Sequence, residues 1–149
     1  MIFVTVGSTD FDLLIKKMDE LIPHLGEEVV MQIGLGKYKP QHGRFFAFAP
    51  SLESYYEHAD LIVAHGGLGT IVEALERGKK LICVVNPTTY DQHQEHLLRV
   101  FAAHNYLLWC KNVENLAEAI QQARATQFTP YQPPECHIHK VIVAYLDKI

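Results

Sequence analysis

Two polar turns, each placed directly behind an apolar run, hold most of the chemistry this sequence could perform. The first is His65-Gly66-Gly67-Leu68-Gly69-Thr70, which follows Leu61-Ile62-Val63-Ala64 and leads into a helical pattern with Ile71, Ala74 and Leu75 on one face. Glycines let the backbone approach a ligand closely, and a helix start offers unpaired N–H donors and a partial positive charge. Both suit an anion. Thr70 can add a hydroxyl donor. By itself the turn is equally consistent with a tight strand-to-helix connection that binds nothing. Its spacing is not GxGxxG, and no GK[ST] follows. His65 can hydrogen-bond a phosphate or simply cap the strand end. Glu73, three residues beyond Thr70, can accept from both hydroxyls of a ribose whose phosphates sit at the helix start. Alternatively it is an acid favoured by the helix dipole, as Glu76 is taken to be, exposed ahead of Arg77-Gly78-Lys79-Lys80.

The second turn follows the apolar run Leu81 to Val85 and reads Asn86-Pro87-Thr88-Thr89-Tyr90-Asp91-Gln92-His93-Gln94. Planar amides and carboxylates match the vicinal hydroxyls of sugars, which fits Asp91, Gln92 and Gln94. The plain alternative is a polar helix start capped by Asp91. A metal site is not expected from Asp91, His93 and His96, because there is no HExxH and no i,i+4 histidine pair in this stretch. There is no GxSxG, and no cysteine stands out as a nucleophile.

These turns need a scaffold that presents them together. The pattern predicts strands at Ile2–Val6, Glu28–Ile33, Arg44–Phe48, Leu61–Ala64, Leu81–Val85 and Tyr106–Cys110. Helices are predicted from Phe11 to Pro23, from Pro50 to His58, after Gly69, from Gln94 to His104 and from Val113 to Arg124. Gly7-Ser8-Thr9-Asp10 reads as a turn with capping residues. Thr126–Pro134 reads as a loop, and a last helix is predicted from about Cys136 to Asp147. Strands alternating with helices imply an α/β fold with a doubly wound, Rossmann-like parallel sheet, in which ligands bind at the carboxyl ends of the strands. Both turns fall there.

At 149 residues the chain suits one domain with a substantial core. A hydrophobic share of 48% with a charged share of 20% is ordinary for a globular protein. The net charge of −4 leaves no general basic footprint for nucleic acid. Cys83, Cys110 and Cys136 share no CxxC spacing and read as buried free thiols of a reducing cytoplasm rather than as disulfides. The start, Met1-Ile2-Phe3-Val4-Thr5-Val6, is too short for the apolar part of a leader, and no run approaches the length of a membrane span. A soluble, cytoplasmic chain is the expectation.

The segment His65–Leu75, then Gly78-Lys79, the strand to Val85-Asn86, and Asp91-Gln92-His93-Gln94 resemble the donor-binding half of a GT-B glycosyltransferase. The likeness is to family 28, which contains the UDP-GlcNAc transferase of peptidoglycan synthesis. It is stronger to the stand-alone small subunits of split transferases, including the dolichol-pathway UDP-GlcNAc transferase and those of bacterial capsule and exopolysaccharide assembly. Val4-Thr5-Val6-Gly7-Ser8-Thr9-Asp10-Phe11-Asp12 carries the same likeness, which runs from Met1 to about Leu116. The resemblance implies that His65, Gly66, Gly67, Leu68, Gly69 and Thr70 hold the donor diphosphate and that Glu73 takes the ribose. It further implies that Asn86, Asp91, Gln92 and Gln94 face the transferred sugar, that Phe48, Ala49, Pro50 and Leu52 lie near the uracil, and that Gly7 and Ser8 line the acceptor cleft. Inverting transfer from a UDP-sugar without a metal or other cofactor is implied, onto a polyprenyl-pyrophosphate-linked acceptor.

A complete GT-B enzyme has two such domains, so the resemblance implies a membrane-anchored partner subunit that supplies the acceptor half and the catalytic base. The chain would then lie at the membrane through its partner and be close to inactive alone. The stretch 126–149, with Ile138 to Leu146, and the aromatic pair Tyr55-Tyr56 are candidate partner contacts, although such apolar stripes also serve as core. A nucleotide-sugar-sensing or enhancer subunit without catalysis of its own, or an adaptor with a vestigial site, are the alternatives.

Overall fold

The computed structural model describes residues 1–89, 92–133 and Leu146. Six strands form one wholly parallel sheet: β1 (Ile2–Thr5), β2 (Val29–Gln32), β3 (Arg44–Phe46), β4 (Leu61–His65), β5 (Lys80–Val84) and β6 (Leu108–Cys110). Their order across the sheet is β3-β2-β1-β4-β5-β6. The central strands are apolar at almost every position because helices cover both faces. Ile2, Val4, Val63, Ile82 and Val84 point to one face, where they meet Leu14, Ile15 and Met18 of α1 (Asp12–Leu25) and Leu116 and Ile120 of α5 (Leu116–Ala125). Phe3, Ile62, Ala64, Leu81 and Cys83 point to the other. There they pack on Tyr56 of α2 (Glu53–His58), Ile71 and Ala74 of α3 (Leu68–Glu76) and Leu98 of α4 (Gln92–Ala103). The expected doubly wound sheet is therefore present, and its strand order reverses between β1 and β4.

Several predicted boundaries shift for local reasons. The first helix runs past Pro23 to Leu25 and closes on Gly26 in the left-handed conformation. Pro23 falls in the last turn, where its missing N–H removes one intrahelical bond, and Gly26 supplies the C-terminal turn. The capping expected of residues 7–10 is absent: Phe11 is the N-cap and makes no side-chain cap bond. Thr9 instead turns its hydroxyl onto the Val6 carbonyl at 2.8 Å. The pair Tyr55-Tyr56 is core rather than a partner surface. Tyr56 is 1% exposed and edge-on to Phe3, and Tyr55 stacks between Phe3 and Phe46. The predicted last helix lies outside the described residues apart from Leu146, which is helical and exposed.

Cys83 and Cys110 are free and buried, as expected, and burial pushes both thiols up from the ordinary range. They lie on opposite faces of the sheet. Cys136 lies outside the described residues. No described helix is long and apolar enough to cross a membrane.

Two carboxylates hold the long β2–β3 connection in place of a helix. Asp12 accepts from the backbone N–H groups of Lys37 and Tyr38 at 3.1 and 3.3 Å. Asp19, 1% exposed, accepts from the Tyr38 hydroxyl and from the N–H groups of Gln41 and His42.

Candidate functional site

The reversal of strand order brings the loop after β1 against the loop after β4 at the carboxyl edge of the sheet. On the β1 side, the Thr5 hydroxyl donates to Gln32 Oε1 at 2.6 Å and accepts from the Gly7 N–H at 3.1 Å. That bond holds a turn in which Gly7 has φ of +63°, a conformation that excludes most side chains. On the β4 side, His65 fills the gap. Its ring lies where a Cβ on Gly7 would come within 2.8 Å and where a Cβ on Gly67 would collide with Nε2. Gly7 and Gly67 thus form the two walls of a slot for one imidazole. Burial holds that imidazole below the ordinary histidine range, with the Thr5 backbone opposing the shift, so the ring is neutral at pH 7. Its Nδ1 is buried without a hydrogen-bond partner among the described residues.

Gly67 is the N-cap of α3, in extended conformation, and no side chain caps the helix. The first turn contains no acidic residue. Ile71 N–H is the first to bond back, to the Gly67 carbonyl at 3.1 Å, so the N–H groups of Leu68, Gly69 and Thr70 have no intrahelical acceptor. Leu68 and Gly69 are exposed, and a Cβ on Gly69 would meet nothing within 4 Å. An open, uncapped helix start of this kind suits a phosphate. Gly66 is buried against α4: a Cβ there would approach Leu98 Cδ1 at 3.3 Å and Gln94 Oε1 at 3.6 Å. The fold therefore gathers His65, Gly66, Gly67, Leu68, Gly69, Thr70, Gln94 and Gly7 around one short stretch of sheet edge. Ser8 is exposed in the same β1 turn.

Glu73 lies one turn further along α3, about 4–5 Å beyond Thr70 along the axis. It is half-buried and pairs with Arg77 at 3.7 Å. The buried Tyr56 ring lies under the Arg77 guanidinium, 5.3 Å from its centroid. Burial first, and then the Glu73 charge, push that phenol above its ordinary range. Phe48, Ala49, Pro50 and Leu52 follow β3 at the same sheet edge. Phe48 and Pro50 are exposed, and Leu52 leads into α2.

Asn86 has a different position from a ligand-facing amide. It is 5% exposed, its Nδ2 donates to the Asp10 carbonyl at 2.7 Å, and its Oδ1 accepts from the backbone and hydroxyl of Thr88. It ties the end of β5 to the β1–α1 loop. Asn86→Ala should lower stability by about 1–3 kcal/mol by orphaning these partners, measurable by urea denaturation. Asp91 and the side chain of Gln92 lie outside the described residues. No described group of three histidine, cysteine or acidic side chains is placed to hold a metal. Tyr56, Arg77 and Gln32 were not among the expected site residues; only the buried contacts across α2, α3 and β2 reveal them.

A cleft of about 500 Å³ sits at the amino edge, lined by Lys79, Lys80, Arg124 and Tyr131 among others. Its lysines are engaged by carbonyls: Lys79 with Glu57, and Lys80 with Ala123 and Arg124 at the end of α5.

A parallel sheet that reverses order beside an uncapped glycine turn defines a doubly wound α/β domain with its ligand edge at the β1–β4 junction. The chain belongs to the glycosyltransferase family 28 C-terminal domain, which it matches over residues 1–145. It is 32% identical over 121 residues to the UDP-N-acetylglucosamine transferase subunit ALG13 of Mus musculus, covering 72% of this chain and 10% of that protein. It thus spans about a tenth of the length of that relative and of its Homo sapiens counterpart. An NMR solution structure of ALG13 superposes with a TM-score of 0.63 at 20% identity, covering 89% of each chain. Acinetobacter baumannii MurG superposes with a TM-score of 0.68 at 18% identity, covering 99% of this chain and 49% of that one. These two show the shared fold. None of these names speaks of capsule or exopolysaccharide assembly.

Proposed function

We propose that this chain is the donor-binding part of a two-component glycosyltransferase that moves a hexose or N-acetylhexosamine from a UDP-sugar to a polyprenyl-linked acceptor in glycan biosynthesis. The observation that carries the reading is the open N-terminus of α3, set beside the Gly7 turn at the β1–β4 junction of a family 28 domain. The N–H groups of Leu68, Gly69 and Thr70, together with the helix dipole, hold the donor diphosphate. Glu73 takes the ribose hydroxyls, and the segment from Phe48 to Leu52 lies against the uracil. Gln94, with Asp91 and Gln92, faces the sugar.

The acceptor hydroxyl attacks the anomeric carbon, a base carried by the partner takes its proton, and the bond to UDP breaks with inversion. Charge then builds on the departing diphosphate, and fixed N–H donors are already aimed at it. No metal is needed in this scheme. The partner is a membrane-anchored subunit bearing the acceptor half, and it keeps this chain at the cytoplasmic membrane face. The names of the matched subunits make UDP-N-acetylglucosamine the first donor to test.

Calorimetric titration of the chain with UDP and UDP-sugars is the test. Binding of UDP is expected, and Glu73→Ala should weaken it about ten- to hundredfold, the usual effect of losing hydrogen bonds to a charged group. Absence of UDP binding by the unaltered chain overturns the proposal.

A further inference from the structure

At 67%, Leu35 is the most exposed large apolar side chain among the described residues, and the backbone that presents it is fixed. Gly34 N–H donates to the Ala47 carbonyl at 3.2 Å, Leu35 N–H to the Thr9 carbonyl at 3.0 Å, and Gly36 N–H to the Ile33 carbonyl at 3.0 Å. Gly34 has φ of +57°, and a Cβ on Gly36 would come within 2.5 Å of Asp12 Oδ1. The chain then alternates. Gly36 and Pro40 are buried and Tyr38 is half-buried, while Leu35, Lys37 and Lys39 are exposed. A period of two in extended chain puts the leucine and both lysines on one outward face. Leu13, 51% exposed, follows Asp12, which accepts the Lys37 N–H, and exposed Lys16 lies one turn further along α1. Phe48, 53% exposed, follows Ala47. None of the three lysines makes an ion pair among the described residues. The exposed acids on the same elements are Asp10 and Glu20, while Asp12 is occupied by the loop's N–H groups.

We propose that this tip is a lipid-contacting element: Leu35, flanked by Leu13 and Phe48, enters the interfacial layer of an anionic membrane while Lys16, Lys37 and Lys39 meet headgroup phosphates. The proposal goes beyond the donor-site reading, in which the partner alone holds the chain at the membrane. A cluster of exposed apolar side chains calls for an occupant, and the residues around it select which one. Lysine is depleted where protein meets protein. Beside lipid it is well suited, because its stem lies along apolar surface while the ammonium reaches the headgroups. Folding gains nothing from a leucine that two glycines and three backbone bonds hold in water. One inserted leucine with a few lysines gives weak, reversible attachment, so the tip orients the chain on the surface rather than anchoring it. The tip shares the carboxyl edge with the donor turn, and contact there brings that edge to the lipid in which a polyprenyl-linked acceptor is embedded.

The experiment floats the full chain with vesicles of phosphatidylcholine alone, and of two parts phosphatidylcholine to one part phosphatidylglycerol. The unaltered chain should bind the anionic vesicles more tightly, and added salt should release it. Leu35→Ser should weaken that binding about tenfold, through lost apolar burial. Lys37→Gln with Lys39→Gln should weaken it about twenty- to thirtyfold, at roughly fivefold per lysine, and should remove most of the salt dependence. All three side chains are exposed, so unfolding temperature and UDP affinity should stay as in the unaltered protein. Failure of the unaltered chain to float with anionic vesicles overturns the inference and leaves a protein as the occupant. Equal flotation of all variants overturns it as well, by placing lipid contact elsewhere. A change of oligomeric state in Leu35→Ser, with no change in flotation, would assign the tip to a second copy of the chain and overturn it too. The donor reading is decided separately, by UDP titration.

Discussion

Gly67→Ala is expected to lower both stability and UDP affinity, although it adds a single methyl group. The Cβ would strike Nε2 of His65, whose ring also lies where a Cβ on Gly7 would come within 2.8 Å. Overpacking at such a contact costs about 1–3 kcal/mol. Relief would come from displacing either the ring or the first turn of α3, and the second moves the N–H groups assigned to the diphosphate. Each such donor lost should weaken UDP about tenfold. Gly69→Ala makes the contrast, since its Cβ meets open space in a helical position, where alanine is favoured by about 1 kcal/mol. Thermal or urea unfolding should therefore place the two alanine variants on opposite sides of the unaltered protein. Adding His65→Ala removes the atoms that the methyl strikes. The destabilisation by Gly67→Ala should then shrink in the double variant, and an unchanged penalty would show that the slot does not confine the ring.

The doubly wound sheet was legible because both of its signals are local: apolar runs of strand length and helical spacing between them. The glycine turn was legible for the same reason, as a contiguous hexapeptide behind a strand. Its orientation was not. That His65 is wedged between Gly7 and Gly67 depends on β1 pairing with β4, with Thr5 opposite Ala64, a contact 59 residues distant in sequence. Asn86 shows the limit of reading residue type alone, since a polar amide behind a strand suits a sugar until its partners at Asp10 and Thr88 are seen. Tyr55-Tyr56 fails in the opposite direction: two adjacent aromatics suggest a surface, yet Phe3 and Phe46 enclose them. In each case the deciding partner is contributed by another element, and a single sequence carries no pairing information.

Asp19→Ala should destabilise the fold by about 2–4 kcal/mol. Its carboxylate is 1% exposed and receives the Tyr38 hydroxyl at 2.7 Å and the Gln41 and His42 N–H groups at 2.9 and 2.8 Å. Truncation leaves three donors unmatched where water has little access. The pH dependence carries its own sign. Burial alone would raise this carboxyl, but the bonds from Gln41, Tyr38 and His42, with the nearby His42 imidazole, more than offset it and hold the group below the ordinary carboxylate range. A depressed folded pKa contributes stability that is present above the unfolded value of about 3.9 and is lost as pH falls through the folded value. Urea denaturation from pH 7 to pH 2 should therefore show a shallower acid limb in Asp19→Asn than in the unaltered protein. Parallel limbs would mean that the carboxylate's charge is not what holds the loop. Because that loop delivers β3, and with it Phe48 to Leu52, to the ligand edge, Asp19→Asn should also weaken UDP binding although Asp19 is not among the residues assigned to the donor.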